Sequence, residues 1–300
     1  MKQETAQIAN SDLQGDKLYL QRARKVLPFL VRQAKSGQPI LYSDLAQETG
    51  ISNPRNLNYP LGAIGNALQE LSKTTDQDIP QIQCIVINKD TGLPGEGIGW
   101  FINTSDYNKL TKSQKQQIVN KVLANIYAYQ QWEWVLQQLQ LKPLTIDIKP
   151  IVEKTKNVKS NGGESKFHLD FKNFIANNPT AIGLSEKISV GETEYKLPSA
   201  DTIDVVFNHK NTKIGVEVKS KISNSEDILR GIFQCVKYKH LIEAEQKINN
   251  EQPDSRVILA LEGQLPTELI AVKNILGIEV IDEIEKRHTT ATSGLAQARQ

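Results

Sequence analysis

The first 140 residues carry apolar side chains at the spacing of amphipathic helices. Four such stretches follow one another along the chain: residues 17–35, 42–48, the second half of 52–73, and 112–140. Pro28 predicts a break or kink in the first of these helices, because proline lacks the amide that a helix interior needs. Ser43 is the predicted cap of the second helix.

The segment 82–88 interrupts this helical pattern. It reads IQCIVIN, a β-branched run that is typical of a strand, and the turn-forming segment 90–100 follows it. Two helices, a strand and a loop in this order are the parts of a winged helix. The pattern therefore predicts a mainly helical, winged-helix-like domain over residues 1–141.

The second half of the chain has a different organisation. Residues 142–163 are rich in lysine and turn formers, which predicts a linker, and residues 285–300 are predicted to be a disordered tail. Between them, 164–284 is predicted to be an α/β domain, a mixed sheet with helices on its faces. Its predicted elements are a helix (164–177), a strand or hairpin (182–197), strands (203–208 and 214–220), a helix (226–245), a strand (256–262), a helix (266–275) and a short strand ending at 281.

Composition excludes few classes of function. The formal net charge is +2, so any surface that binds nucleic acid must be a local patch. The two cysteines are far apart and the four histidines lack zinc-ligand spacing, which predicts a reduced, intracellular protein without structural zinc. No leader pattern and no sufficiently long apolar run is present, so we expect a cytoplasmic protein without a membrane partner.

The strand 214–220 presents a carboxylate beside an ammonium. Side chains alternate across a strand, so Glu217 and Lys219 share one face, whereas Val216 and Val218 point to the other. This pattern places two groups of opposite charge side by side on one surface of the sheet.

A second carboxylate is expected next to this pair. In the preceding strand, Ile203, Val205 and Phe207 are predicted to share one face, which leaves Asp204 on the opposite one. The turn between the two strands is short enough for them to pair as a hairpin, and this pairing would bring Asp204 close to Glu217.

Two neighbouring carboxylates repel each other unless a cation lies between them. A hard divalent ion such as Mg²⁺ favours oxygen ligands of this kind, together with water. A nearby lysine can orient or deprotonate the attacking water and offset charge on a phosphate, while the metal polarises the phosphoryl oxygen. These are the groups that a metal-dependent enzyme uses to hydrolyse a phosphodiester bond.

The spacing of these residues resembles a known signature. Asp204, followed thirteen residues later by Glu217-Val218-Lys219, resembles the D...ExK motif of PD-(D/E)xK restriction-type nucleases. Gln234 and Tyr238 resemble the QxxxY motif of nucleases related to RecB, and the predicted order αβββαβ matches the family core. The resemblance covers roughly residues 164–282.

The resemblance implies a restriction-endonuclease-like fold and a Mg²⁺ or Mn²⁺ cofactor. It implies catalytic roles for Asp204, Glu217 and Lys219, and it adds Glu164, in the first helix, to Asp204 and Glu217 as a metal ligand. Gln234, Tyr238 and Arg230, which is one helical turn earlier, become candidates for contact with the substrate.

Two residues near the motif need separate treatment. The family usually has proline directly before its aspartate, whereas here Pro198 lies further back, so Asp201 is a rival for Asp204. Asp204 is preferred because it opens the apolar strand. His168 is left outside the catalytic set, because such a histidine more often completes a helix surface.

The first half of the chain resembles the winged-helix domain of O6-alkylguanine DNA alkyltransferases. Cys84 falls near the place of that family's cysteine, but the Pro-Cys-His-Arg context is missing, so we interpret Cys84 as inert core. If this domain binds DNA, its candidate contacts are Arg55, Asn56 and Asn58 before the second helix and Asn66 on it, because a recognition helix reaches base edges with its first residues. The alternative is a surface for a partner or a ligand.

These features together predict a divalent-metal-dependent endonuclease acting on DNA in a restriction or anti-phage defence system. A noncatalytic nucleic-acid-binding protein with a nuclease-like fold is the first alternative. A nuclease acting on RNA or in DNA repair is the second. Self-association into a homo-oligomer stays open.

Overall fold

The computed structural model of the chain describes residues 13–102, 106–147, 149, 153 and 165–286. This part of the chain is mixed α/β, with eight helices and a five-stranded mixed sheet. It divides into two units: the first contains the described residues within 1–156 and 267–279, and the second those within 157–266 and 280–300. None of the described helices has the length and apolar composition of a membrane span.

Several predicted features lie outside the described residues. These are most of the predicted linker 142–163, the candidate ligand Glu164, and the predicted tail from Arg287 onward. The two residues before Arg287 are described, and Lys286 forms an ion pair of 2.9 Å with Glu262.

The first unit is mainly helical. Its longer elements are α1 (Leu18–Ser36), β1 (Ile40–Leu41), α2 (Tyr42–Glu48), α3 (Asn58–Thr75), β2 (Val86–Ile87), α4 (Lys112–Ala128) and α5 (Trp132–Gln138). Of the break or kink expected at Pro28, the break is wrong, since α1 runs through this residue. Burial of the proline ring offsets the lost hydrogen bond. Ser43 does not cap α2, because the helix begins one residue earlier and the hydroxyl donates to Asp44.

The predicted strand 82–88 is largely a 3₁₀ turn. Residues Ile82–Ile85 form the turn, and only β2 is extended, pairing in parallel with β1. All four residues of the turn are buried, so no alternation of buried and exposed positions favours a strand. The segment after β2 turns back through a bond from the Asn88 amide to the Leu93 carbonyl (3.0 Å). Between β2 and α4, the described residues 88–102 and 106–111 therefore contain no antiparallel strand pair that would form a wing.

A helix from the end of the chain also belongs to the first unit. The sequence position of this helix, α8 (Ile270–Ile275), predicts that it belongs to the second domain, but it packs against α1 and α2. The Lys273 ammonium lies 2.7 Å from the Asp44 carboxylate, and the Asn274 amide donates to Glu48 (2.8 Å). These buried polar contacts join residues more than 220 positions apart, and local periodicity cannot report them.

The second unit contains most of the sheet. Its elements are α6 (Lys166–Asn177), β3 (Glu192–Lys196), β4 (Thr202–His209), β5 (Thr212–Lys219), α7 (Ser225–Ile248), β6 (Ser255–Leu261) and β7 (Glu279–Ile281). The sheet order is β3-β4-β5-β6-β7; β3, β4 and β5 are antiparallel, and β5 pairs with β6 in parallel. From α6 to β6 the order of elements is the predicted one. The predicted strand or hairpin at 182–197 is the single strand β3.

Helices cover both faces of this sheet. On one face, Phe171 of α6 belongs to the same apolar core as Val205 and Val216 of the central strands. On the other face, α7 comes so close to β5 that a Cβ atom on Gly215 would lie 3.1 Å from Ile242. The glycine therefore lets the helix approach the sheet.

Ile203 does not share a face with Val205, contrary to the expected alternation. A Cβ atom on Gly215 would lie 3.6 Å from Ile203 as well as near Ile242, which puts Ile203 on the α7 side. Val205 and Phe207 belong to the core on the α6 side. The regular alternation of β4 is therefore interrupted around Asp204.

Candidate active site

Asp204 lies where the pairing of β4 and β5 ends. The register of the two strands runs from His209 opposite Thr212 to Val205 opposite Val216. Beyond this last pair, the backbone amide of Val218 donates to the Asp204 carboxylate at 2.8 Å. A side-chain oxygen thus takes the place of a backbone acceptor, which holds the carboxylate beside the strand that carries Glu217.

Glu217 and Lys219 lie together on the α7 side of β5. The Lys219 ammonium donates to the Glu217 carboxylate at 2.7 Å and to the Gln234 amide oxygen at 3.4 Å. Only 3% of the Glu217 side chain and 12% of the Lys219 side chain is exposed. This burial exceeds that of a solvated strand face, so these side chains also contribute to packing.

Gln234 and Tyr238 connect α7 to this pair. The Gln234 amide donates to the Tyr238 hydroxyl at 3.2 Å, and that hydroxyl donates to the backbone carbonyl of Thr202 at 2.9 Å. Tyr238 is buried. Its hydroxyl therefore anchors the helix to the start of β4, two residues before Asp204, while Gln234 reaches the lysine itself.

Arg230 lies one turn before Gln234 on α7, as its spacing predicts. Its guanidinium forms an ion pair with Asp227 of the same helix. This contact within one helix leaves the side chain at the surface, where it is about one-third exposed.

His168 is the residue that sequence reasoning left out. Its Nε2 atom lies 3.3 Å from the Asp204 carboxylate, across 36 residues of chain. The helix that carries it begins after Ser165, whose hydroxyl accepts from the His168 amide. The usable signal was periodicity, because His168 stands three and seven residues before the buried Phe171 and Ile175, on the helix face that meets the sheet.

The two carboxylates of the site have pKa values displaced in opposite directions. Burial, followed by the charge of Asp204, raises the pKa of Glu217 to about 7, although Lys219 opposes the rise. Burial also acts to raise the pKa of Asp204, but hydrogen bonds from His168 and the Val218 amide outweigh it and hold that pKa below its usual value. The bond to Asp204 in turn raises the pKa of His168. A buried carboxylate pair of this kind is a place where a cation is stabilised.

The donor atoms fit a hard divalent ion that keeps part of its water shell. Asp204 and Glu217 supply carboxylate oxygens, and His168 supplies a nitrogen next to Asp204. Within the described ranges, no cluster of three or more His, Cys, Asp or Glu side chains is arranged to hold a metal. Mg²⁺ usually binds through one or two carboxylates, water and substrate phosphate, so the two carboxylates fit this ion.

Asp201, the rival of Asp204, lies apart from these groups. Its carboxylate accepts from the Ser199 hydroxyl at 3.0 Å and from the Lys237 ammonium at 2.5 Å. The hydrogen bond from Lys237 lowers the pKa of Asp201. Of the two aspartates, Asp204 is the one beside Glu217 in this structure.

The candidate nucleic-acid contacts of the first unit lie around the start of α3. Arg55 and Asn56 are exposed in the 3₁₀ turn that precedes this helix, and Asn66 is half-buried on the helix. Cys84 is 1% exposed, and burial raises the pKa of its thiol far above the usual value. A thiol in this environment lacks the thiolate character that alkyl transfer needs.

Comparison of the chain with family models, curated proteins and solved structures finds no match.

Proposed function

We propose that the second unit is a divalent-metal-dependent nuclease of the PD-(D/E)xK type that hydrolyses phosphodiester bonds in DNA. One observation carries the proposal: Lys219 lies 2.7 Å from Glu217, on the strand whose Val218 amide binds the Asp204 carboxylate. Two carboxylates and an ammonium are thereby brought together by a single strand pair. The predicted D...ExK residues are the ones that meet.

Each group has a distinct role in this proposal. Mg²⁺ or Mn²⁺, held by Asp204 and Glu217, would polarise the phosphoryl oxygen. Lys219, held between Glu217 and Gln234, orients the attacking water and offsets the charge that develops on the phosphate. His168 stabilises the ionised form of Asp204 through their hydrogen bond.

The first unit is proposed to hold the nucleic acid. Arg55 and Asn56 are exposed in the turn directly before α3, close to the helix start with which a recognition helix contacts DNA. A unit that holds DNA combined with a unit that cuts it suits a restriction or anti-phage defence system. This biological setting rests on the resemblance of the motifs and on the exposed residues of the turn before α3.

Cleavage assays with a lysine variant test the proposal. Full-length wild type, Lys219→Ala and Lys237→Ala are incubated with plasmid, linear duplex DNA, single-stranded DNA and RNA, with Mg²⁺, Mn²⁺ or EDTA. The wild type and Lys237→Ala, a half-exposed lysine of α7, should cleave only with metal. Lys219→Ala should not cleave, and it should keep a cooperative thermal transition.

Two results would contradict the proposal. The first is cleavage in EDTA or by Lys219→Ala at the wild-type rate. The second is binding of nucleic acid without cleavage under every metal condition, which would favour the noncatalytic alternative. If the protein cleaves only RNA, the proposed hydrolysis stands, and the substrate is RNA and not DNA.

A further inference from the structure

An exposed aromatic side chain stands next to the candidate site. Phe167 is the second residue of α6, directly before His168, and 45% of its surface is exposed. In proteins that bind single strands, aromatic side chains are the surfaces on which bases stack. Its neighbour His168 lies against Asp204, so the backbone of this turn is held close to the carboxylates.

A lysine lies over the ring of Phe167. The Lys221 ammonium is 5.1 Å from the ring centroid, a distance at which a cation is attracted to an aromatic face. Lys221 follows Lys219 by two residues, and its backbone amide donates to the Glu262 carboxylate at 2.9 Å, which fixes the end of β5. The other oxygen of Glu262 contacts Lys286.

Among the residues that the structure describes, no carboxylate forms an ion pair with the Lys221 ammonium, and the aromatic ring is its contact. An aromatic face and an unneutralised ammonium are the two groups that bind a nucleotide: the ring stacks on the base and the cation contacts the phosphate.

We propose that Phe167 and Lys221 form a subsite for one nucleotide of the substrate, with its base stacked on Phe167 and its phosphate against Lys221. This inference rests on the proposed nuclease function and adds a substrate class to it. A base inside a duplex is stacked on its neighbours and offers no free face. The subsite therefore selects nucleic acid with an unpaired nucleotide beside the scissile phosphate, either a single strand or a locally opened duplex.

Binding measurements without cleavage test the subsite. Fluorescence anisotropy in EDTA follows a labelled oligodeoxyadenylate, a matched strand with abasic positions, and a duplex, each with the full-length protein. Phe167→Ala and Phe167→Leu should lower affinity for the single strand about tenfold, whereas Phe167→Trp should retain it. Lys221→Ala should lower affinity for the normal and the abasic strand alike.

Leu169 provides a matched control. It is 42% exposed on the same helix. Because it lies two residues after Phe167, its side chain points about 200° away from that of Phe167 around the helix axis. Leu169→Ala should bind the single strand as the wild type does. The wild type should bind the abasic strand about tenfold more weakly than the normal strand, and Phe167→Ala should show no such difference, because the stacking contact has already been removed.

The outcomes separate this inference from the nuclease function. If the wild type cleaves nucleic acid but Phe167→Ala binds both strands with wild-type affinity, the subsite is wrong and the nuclease function stands. If binding depends on Phe167 and on the bases but no metal supports cleavage, the nuclease function fails and the subsite stands. A third outcome also overturns the subsite: the wild type binds none of the strands, and Phe167 is needed only for binding a protein partner.

Discussion

Removing the charge of Glu217 should stabilise the metal-free protein while it abolishes cleavage. Glu217 is 3% exposed and lies near a second carboxylate, so its ionised form is costly in the absence of a metal ion, and Lys219 offsets only part of this cost. The substitution Glu217→Gln keeps the size and a hydrogen-bond acceptor for Lys219. It removes only the charge.

The size of the effect follows from the pKa of Glu217. Burial and the neighbouring charge of Asp204 raise that pKa from 4.5 to about 7. The folded protein then binds this proton more tightly than the unfolded chain does. The contribution of Glu217 to the free energy of unfolding is therefore highest below the pKa of the unfolded chain, and it is lost as the pH rises through the pKa of the folded protein. The difference between the two pKa values corresponds to roughly 3 kcal/mol. The amide binds Lys219 more weakly than the carboxylate does, so the net gain is expected to be about 1–3 kcal/mol at pH 8.

Urea denaturation in EDTA, followed by circular dichroism near pH 5 and pH 8, measures the gain. The difference in unfolding free energy between Glu217→Gln and wild type should be larger at pH 8. The same change at Glu192, an exposed residue of β3, is the control and should have little effect. Mn²⁺ should then stabilise the wild type more than Glu217→Gln. A variant that is less stable than wild type in EDTA at pH 8 would refute the reasoning.

Three further substitutions test the site and the fold. Asp204→Asn should weaken Mn²⁺ binding about tenfold or more in calorimetry, whereas Asp201→Asn should leave it unchanged; the reverse ranking would move the ligand role to Asp201. Gly231→Ala should lower kcat several-fold with Mn²⁺ binding retained, because the added Cβ would lie 2.9 Å from Cε of Lys219; an unchanged kcat would show that this displacement is harmless. Lys273→Ala should cost roughly 3 kcal/mol in the unfolding of the first unit, because it leaves a buried carboxylate of α2 without its cation. Tryptophan fluorescence reports that unfolding, since all three tryptophans lie in the first unit, and an unchanged transition would contradict the placement of α8.

The periodicity of the sequence was sufficient for the order of elements from α6 to β6. Each of these elements buries one face against its neighbours, and a buried face leaves a repeating apolar pattern in the sequence. The same local rule placed Glu217 and Lys219 side by side, because residues two apart on a strand share a face. The rule failed at 82–85, where all four residues are buried and no alternation distinguishes a strand from a turn.

The sequence alone singled out Asp204, Glu217 and Lys219, because their spacing is a property of one continuous segment, but it did not single out His168. Only the tertiary structure decided how these groups are held. The contact of His168 with Asp204 joins α6 to the sheet across 36 residues, and the packing of α8 on α1 and α2 spans more than 220. Burial of Glu217 likewise depends on α7. Periodicity reports that a face is covered but not which element covers it, so the partners, and the pKa shifts that they cause, follow from the folded chain.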